Sequence, residues 1–532
     1  MTEVTMTIHD PTLGRIEVFT VPLPDGFCDI NGTYTPSGRV LVSVRTSPDA
    51  DHYSLFTLND DGEDLRRIFE GEIPQKKTAN GIRYMCFADN RRVLLGDYVL
   101  ECTRSLDEEG QAALIPVRYP DALERFPAVF RHWSEIIVSP DMEKIVWTML
   151  THTGADNFIG KLTRGEDEYI IEDVTCISSR SMYRPDPDRP GEVIPETVRG
   201  GEVKQFIRGG RAISLVGNSD SLADSVIEEL DTGKTRQFSD TAGSEETALF
   251  SPDETLAVCM SPRFSPRTNA DILGLIPLPH SGWARMPIIN PAYQYAIGSE
   301  RIFRGGLIGP ALVDVKKTLS EGRAYKGVDL GDPENRFVYY SPMSWSPCGT
   351  KAMWNERTRL VDPEMKARLR VARLCGRQPG EPIPTAATPD GKDIPYAIPL
   401  DDFLKNPVSS PLTVPFRVRG RFSGAVVSED GGDGWKVVRY ERYSADGRTF
   451  YDGQVMSRSP RSMYDAGDNV FRADLTVTGE HEGRADFKLV FTQKSLRDPV
   501  MLNFAPDESG LPATRGFSAY DGVTVRAEEM EE

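Results

Sequence analysis

The stretch Val138-Ser139-Pro140-Asp141-Met142-Glu143-Lys144-Ile145-Val146-Trp147-Thr148 decides how the chain is read. Its first half is turn chemistry: proline presets φ for the first turn position, and Asp tolerates those that follow. Its second half is rich in β-branched and aromatic residues, the pattern of a strand with a buried side. The order returns as F-S-P-D-E-T-L-A-V-C-M from Phe250 and as W-S-P-C-G-T-K-A-M-W-N from Trp345. Looser copies are Y-T-P-S-G-R-V-L-V-S-V from Tyr34, F-A-D-N-R-R-V-L-L-G-D from Phe87 and F-I-R-G-G-R-A-I-S-L-V from Phe206. Starts lie roughly 44 to 68 residues apart, except for about 95 before the last. Four-stranded propeller blades recur at about 40–50 residues.

Companion strands fall between the copies. Tyr53 to Glu63 and Ser225 to Phe238 each read as two strands joined by a D-G or T-G turn. The expected fold is all-β: a six-bladed β-propeller over residues 1–375, with a seventh blade hidden in the long interval as the alternative. Radial repetition leaves only short, protected sheet edges. The long interval holds an aromatic, Arg- and Gly-rich segment, His280 to Gly306. An insertion at about 278–337, covering the propeller mouth, is expected there. Residues 376–413 carry eight prolines and read as an extended connector wrapping back along the propeller. Over 414–526 strand alternation resumes around D-G, G-E and E-G turns, as in an antiparallel β-sandwich or small barrel. Residues 527–532 read as a frayed acidic tail.

The turns Ser139-Pro140-Asp141, Ser251-Pro252-Asp253 and Ser346-Pro347-Cys348-Gly349 resemble the S-P-D-G repeat of TolB-type propellers. The propeller domains of dipeptidyl-peptidase-like proteins are similar. The resemblance covers roughly residues 15–375 and implies the fold, not an activity. Only three copies keep S-P, and Cys348 stands where Asp is expected. TolB itself is a periplasmic binding protein, whereas no signal pattern opens this sequence. No G-x-S-x-G nucleophile elbow follows the propeller, since G-N-S-D-S at Gly217 and G-F-S-A-Y at Gly516 do not match; a serine protease is rejected.

Composition narrows the partners. The chain has 532 residues with 62 Lys+Arg against 80 Asp+Glu, a net charge of −18. Such acidity disfavours nucleic acid, which needs clustered Lys and Arg. No apolar run is long enough for a membrane span. Seven scattered cysteines without C-x-x-C spacing fit neither a disulfide framework nor a thiolate zinc site, and point to the cytoplasm. Neither a Walker nor a Rossmann glycine motif occurs, so no cofactor is expected.

Three segments stand out as candidate chemistry at the channel mouth. R-H-W-S-E, Arg131 to Glu135, offers His132 as a general base or a metal ligand; the alternative is a hydrogen-bonded strand histidine. T-H-T-G-A-D-N-F, Thr151 to Phe158, offers His152 and Asp156, although a turn explains much of it. The third group joins Arg180, Tyr183 and Arg184 to His280, Trp283, Arg285, Tyr293, Tyr295 and Arg304. Arg forks suit a carboxylate and rings stack on planar faces, with Tyr183, Tyr293 and His280 as proton-transfer groups. The competing reading is that these residues pack the insertion against the blades.

The expected function is a propeller enzyme acting on a polar, anionic or aromatic small molecule by lyase, hydrolase or isomerase chemistry. The alternative is a non-catalytic scaffold for a ligand, a protein partner or a second copy. A divalent metal at converging His132, His152 and His280 is a third variant.

Overall fold

The computed structural model describes all residues except 1–2, 28–29, 46–51, 75–83, 152–154, 180–182, 196–198, 218–222, 242–243, 265–290, 293, 296–307, 335, 360–361, 363–365, 406–415, 460–465, 496–497 and 531–532. Its strands form successive antiparallel meanders, each opening on one of the repeat copies. Asn31–Tyr34, Val40–Arg45, His52–Leu58 and Arg66–Glu72 make the first. Met85–Cys86, Arg92–Leu94, Tyr98–Cys102 and Ala112–Arg118 follow. Phe130–Val138, Lys144–Leu150, Ala155–Arg164 and Tyr169–Cys176 make the third, joined to the second where Ala112–Arg118 runs parallel to Tyr169–Cys176. Next come Glu202–Ile207, Ala212–Gly217, Asp224–Glu229 and Thr235–Gln237. Thr247–Phe250, Leu256–Ser261, Gly309–Asp314 and Val328–Asp329 form the fifth. The last, Phe337–Trp345, Lys351–Thr358 and Ala367–Leu374, is completed by the N-terminal strands Gly14–Thr20 and Val4–Asp10.

This last pairing closes a ring. Ile16 lies opposite Leu374 and Val18 opposite Ala372, so the start of the chain is stitched to the end of the repeat. The opening strands also touch in turn. Met85–Cys86 meets Phe130–Val138, which meets Glu202–Ile207; the contacts continue through Thr247–Phe250 and Phe337–Trp345 to Asn31–Tyr34. The Tyr84 hydroxyl donates to the Asn31 carbonyl and spans the remaining step. Each apolar cluster of the propeller is shared by two consecutive meanders. Phe87 packs with Trp147 and Phe158, and Met260 packs with Trp354. Burying one such side chain is worth about 1.5–3 kcal/mol, so every wedge is held by its neighbours. The chain is a β-propeller.

The S-P-D turns show why the repeat has its residues. Met142, Glu254 and Gly349, in equivalent places, take φ of 64°, 52° and 66°. The Ser251 hydroxyl donates to Asp253 Oδ1 (2.6 Å) and accepts the Leu256 N–H (3.1 Å), locking the turn from inside. The second carboxylate oxygens reach out to the connector. Gly380 N–H donates to Asp253 Oδ2 (2.8 Å), and Thr388 N–H to Asp141 Oδ2 (2.7 Å). Arg377 adds an ion pair to Asp253 (2.6 Å) and Lys144 one to Asp390 (2.6 Å). The connector ends with Ile398–Pro399 paired to Tyr169–Cys176 and the helix Leu400–Lys405, whose Phe403 is buried beside Phe126 and Phe158.

Several sequence expectations are corrected. The interval 278–337 is not insertion throughout, because Gly309–Asp314 and Val328–Asp329 pair with Leu256–Ser261 and each other as blade strands. The tail strands bond in one continuous path, with no closed barrel among the described residues. It runs from Tyr183–Pro185 and Val193–Pro195 through Phe416–Arg419, Ser423–Gly432, Trp435–Ser444, Thr449–Arg458, Gly467–Gly479, Gly483–Gln493 and Arg515–Tyr520 to Val523–Arg526. The first two of these strands come from the propeller segment, and Val193 pairs with Val418 in parallel. The acidic end is not frayed up to residue 530: Ala527 and Met530 are buried in the tail core, because one turn of 3-10 helix folds them back onto the sheet.

Candidate functional site: the central cavity

The opening strands enclose a cavity of about 320 Å³ on the propeller axis. Tyr34, Ile136, Leu249, Phe250, Met343 and Trp345 give it an apolar wall. Pro36, Pro252 and Pro347 carry the wall up to the turns between first and second strands. A cavity built by repetition alone would receive alternate residues of each strand. Here the consecutive residues Glu135, Ile136 and Ile137 line it, as do Lys204 and Gln205.

Three of the opening strands carry bulges near these positions, while the regularly paired Asn31–Tyr34 and Thr247–Phe250 also contribute neighbours, Thr33 with Tyr34 and Leu249 with Phe250. Pairing of Phe130–Val138 slips between Trp133 and Ile136, so Ser134 and Glu135 have no ladder partner opposite. Pairing of Glu202–Ile207 slips between Val203 and Gln205, which leaves Lys204 as the extra residue. Phe337–Trp345 slips between Tyr340 and Met343. There Asn355 clamps the slip, donating to the Pro342 carbonyl (2.6 Å) while exchanging bonds with Gly32 N–H (2.8 Å) and carbonyl (3.1 Å). Bulges re-aim side chains and are common beside sites.

The re-aimed residues find each other. Lys204 Nζ lies 2.8 Å from Glu135 and 2.9 Å from Glu202, with its side chain only 2% exposed. The Trp133 indole N–H also donates to Glu202. Gly201, at φ 146°, sets the approach of this strand: a Cβ there would stand 2.0 Å from the Val216 carbonyl. Its carbonyl accepts from Asn157 Nδ2 (2.6 Å) and Thr148 Oγ1 (3.1 Å). Burial alone would discharge Lys204, but Glu135, Glu202 and Glu246 outweigh it and hold the ammonium charged. Burial pushes the Glu202 carboxyl up; the Lys204 charge and hydrogen bond prevail and hold it below its ordinary value. Tyr34 is raised by burial and by Asp60, which accepts its hydroxyl at 2.9 Å; Tyr84 is raised by burial.

The sequence candidates fall elsewhere. His132 is buried between the second and third meanders, its Nδ1 3.2 Å from Asp97 and its ring 4.0 Å from that of Tyr119. It is absent from the cavity wall; R-H-W-S-E reaches the site through Glu135 instead. Asp156 sits in the strand Ala155–Arg164 opposite Met149, away from the cavity, and its neighbour Asn157 is fully buried as a backbone clamp. Tyr183, half-buried, and Tyr295, fully buried, both pack into the tail core; the Tyr295 hydroxyl donates to the Met530 carbonyl (3.0 Å). Arg184 is exposed on the same short strand as Tyr183. His152, Arg180, His280, Trp283, Arg285, Tyr293 and Arg304 lie outside the described residues. Among the described residues no group of three or more metal-ligating side chains occurs, and no helix is long and apolar enough to cross a membrane. Glu135, Glu202, Lys204 and Thr247 were missed by sequence reasoning, since nothing in an alternating strand marks a bulge.

No protein-family model matches the chain, and no curated protein matches it. Solved structures do. A TolB-type protein from Agrobacterium tumefaciens is similar, with 8% identity, TM-score 0.32 and coverage of 58% of this chain and 80% of that one. TolB from Acinetobacter baumannii follows at 10% identity and TM-score 0.29, with 68% and 65% covered. The likeness is to TolB-type propellers. Prolyl endopeptidases are also similar at 11% identity and TM-score 0.29, over 63% of this chain and about half (47%) of theirs. At such scores the fold rests on the strand pairing itself.

Proposed function

We propose that the chain is a six-bladed propeller that binds one small molecule in its central cavity and carries out no bond chemistry there. The observation that supports this reading is the state of the cavity's ionisable groups. General acid–base work needs a group poised near the working pH. Lys204 is held charged between carboxylates, while Tyr34 and Tyr84 are pushed up, away from neutrality. His132, the expected base, faces Asp97 and Tyr119 inside a wedge. The reading invokes no cofactor. The free thiols of Cys86, Cys102, Cys176, Cys259, Cys348 and Cys375 support a reducing compartment, the cytoplasm.

The test is a melting-temperature screen of the full chain against a small-molecule library, repeated on Leu249→Trp to fill the cavity. A ligand that binds only the folded state raises the melting temperature. Hits that lose their shift in the variant, and stay chemically unchanged by NMR over hours with the protein, support the reading. Consumption of a hit would overturn it in favour of an enzyme.

A further inference from the structure

We infer that the cavity selects a neutral, largely aromatic or apolar molecule carrying one hydrogen-bonding group, which docks on the Thr247 hydroxyl. This rests on the binding reading above. Most charged and polar side chains around the cavity already have partners, the Thr33 hydroxyl apart. Lys204 holds Glu135 and Glu202. Lys351 holds Asp60 at 2.5 Å, and the same carboxylate takes the Tyr34 hydroxyl. Gln205 is consumed by Phe250, accepting its N–H (2.7 Å) and donating to its carbonyl (3.2 Å). Ser344 Oγ accepts the Tyr34 N–H (3.0 Å), and Thr35 Oγ1 shares a bond with Ser37 (2.8 Å).

Thr247 differs. It is 4% exposed, it lines the cavity, and its Oγ1 has no hydrogen-bond partner among the described residues. A buried hydroxyl without a partner is costly, so such an atom marks a place where something else completes the bond. Strand alternation puts Thr247 on the cavity side with Leu249, while Ala248 packs into the cluster shared with the preceding meander. A hydroxyl or carbonyl on the ligand meets Thr247 directly. The rest of the molecule meets Ile136, Leu249, Met343 and Trp345: an indole face for ring stacking and a thioether that adapts to shape. A charged ligand would lose its hydration and find each nearby counter-charge already taken.

Four probes of one shape separate the outcomes: 2-naphthol, naphthalene, 2-naphthoate and 2-naphthylmethylammonium, titrated calorimetrically into the full chain and into Thr247→Val and Leu249→Trp. We expect 2-naphthol to bind best, and both ions roughly tenfold or more weaker. Thr247→Val should weaken 2-naphthol roughly two- to tenfold, to the level of naphthalene, whose own affinity stays unchanged. Leu249→Trp, with folding checked by circular dichroism, should abolish all binding. An ion binding as tightly as 2-naphthol overturns the neutral class and leaves the cavity reading standing. Binding of 2-naphthol indifferent to Thr247→Val overturns the docking hydroxyl. Silence from all four probes overturns the cavity reading itself.

Discussion

Replacing Lys204 by Met keeps the length of the side chain and removes its charge, leaving Glu135 and Glu202 facing each other beside the cavity. Breaking a buried ion pair from one side costs about 3–5 kcal/mol, because the remaining charge is stranded. The pH dependence follows from the same contacts. In the native protein Lys204 holds Glu202 below its ordinary pKa against burial, so that stabilisation is present at neutral pH and is lost as pH falls through the lowered value. In Lys204→Met burial and repulsion from Glu135 oppose only the remaining Trp133 hydrogen bond, the Glu202 carboxyl moves up, and protonation relieves the strain on acidification. Urea unfolding at pH 8 and pH 5, followed by tryptophan fluorescence, reads both effects, and Trp133 sits on Glu202 as a local reporter. The expected deficit is about 3–5 kcal/mol at pH 8 and clearly smaller at pH 5. The triple variant Lys204→Met, Glu135→Gln, Glu202→Gln should recover most of it. A deficit under about 1 kcal/mol, or one independent of pH, would refute a buried, charged triad.

Three further outcomes are expected. Burial pushes the carboxyl of Glu228 up to about 7 although the Tyr396 hydroxyl donates to it at 2.6 Å, so stability should fall as pH rises from the ordinary carboxylate range through 7. Glu228→Gln should flatten that slope and stabilise the protein at pH 8 by up to about 3 kcal/mol in urea titrations. Asp253→Ala removes the anchor of Arg377 and Gly380, so trypsin should cleave after Arg377 at least roughly tenfold faster, read by mass spectrometry. His132→Gln removes the contacts to Asp97 and Tyr119. It should cost about 1–3 kcal/mol of stability while leaving 2-naphthol affinity unchanged by calorimetry; a selective loss of affinity would instead return His132 to the site.

What was legible in the sequence followed from local chemistry. The S-P-D turns and the runs after them report φ preferences and one-sided burial, and these place the turn and the second strand of their meanders. The N-terminal strands escaped because Gly14–Thr20, which carries Val4–Asp10 on its other side, pairs with Ala367–Leu374 at the far end of the repeat, and no short-range pattern records a ring closure. Tyr183 and Tyr295 were read as one cluster from their composition. They do share surroundings, but those are the tail core, since aromatic residues drawn from a distant segment serve packing as readily as recognition. The prolines of the connector signalled an extended path. Its docking on Asp141 and Asp253 could not be read, because a turn aspartate looks the same whether its second oxygen meets solvent or a distant backbone.

R-H-W-S-E drew attention for the wrong residue, because period-2 alternation says that two residues face apart without saying which one faces the axis. In an unbroken strand His132 and Glu135 would lie on opposite faces, and a choice of His132 for the channel sends Glu135 outward. The structure makes the opposite choice: His132 packs in the wedge and Glu135 turns to the axis, beside pairing slips on both sides of Trp133. Lys204 is turned inward by the matching slip in the adjacent strand, and the ion pair between the two extra residues ties the bulges together. A buried pair of this kind adds little net stability compared with apolar packing. Its consequence is geometric: it holds two neighbouring strands out of regular pairing and so fixes the width of the cavity at that height. The charges then shape the site without being offered to the ligand, which leaves the apolar wall and the Thr247 hydroxyl to do the recognising.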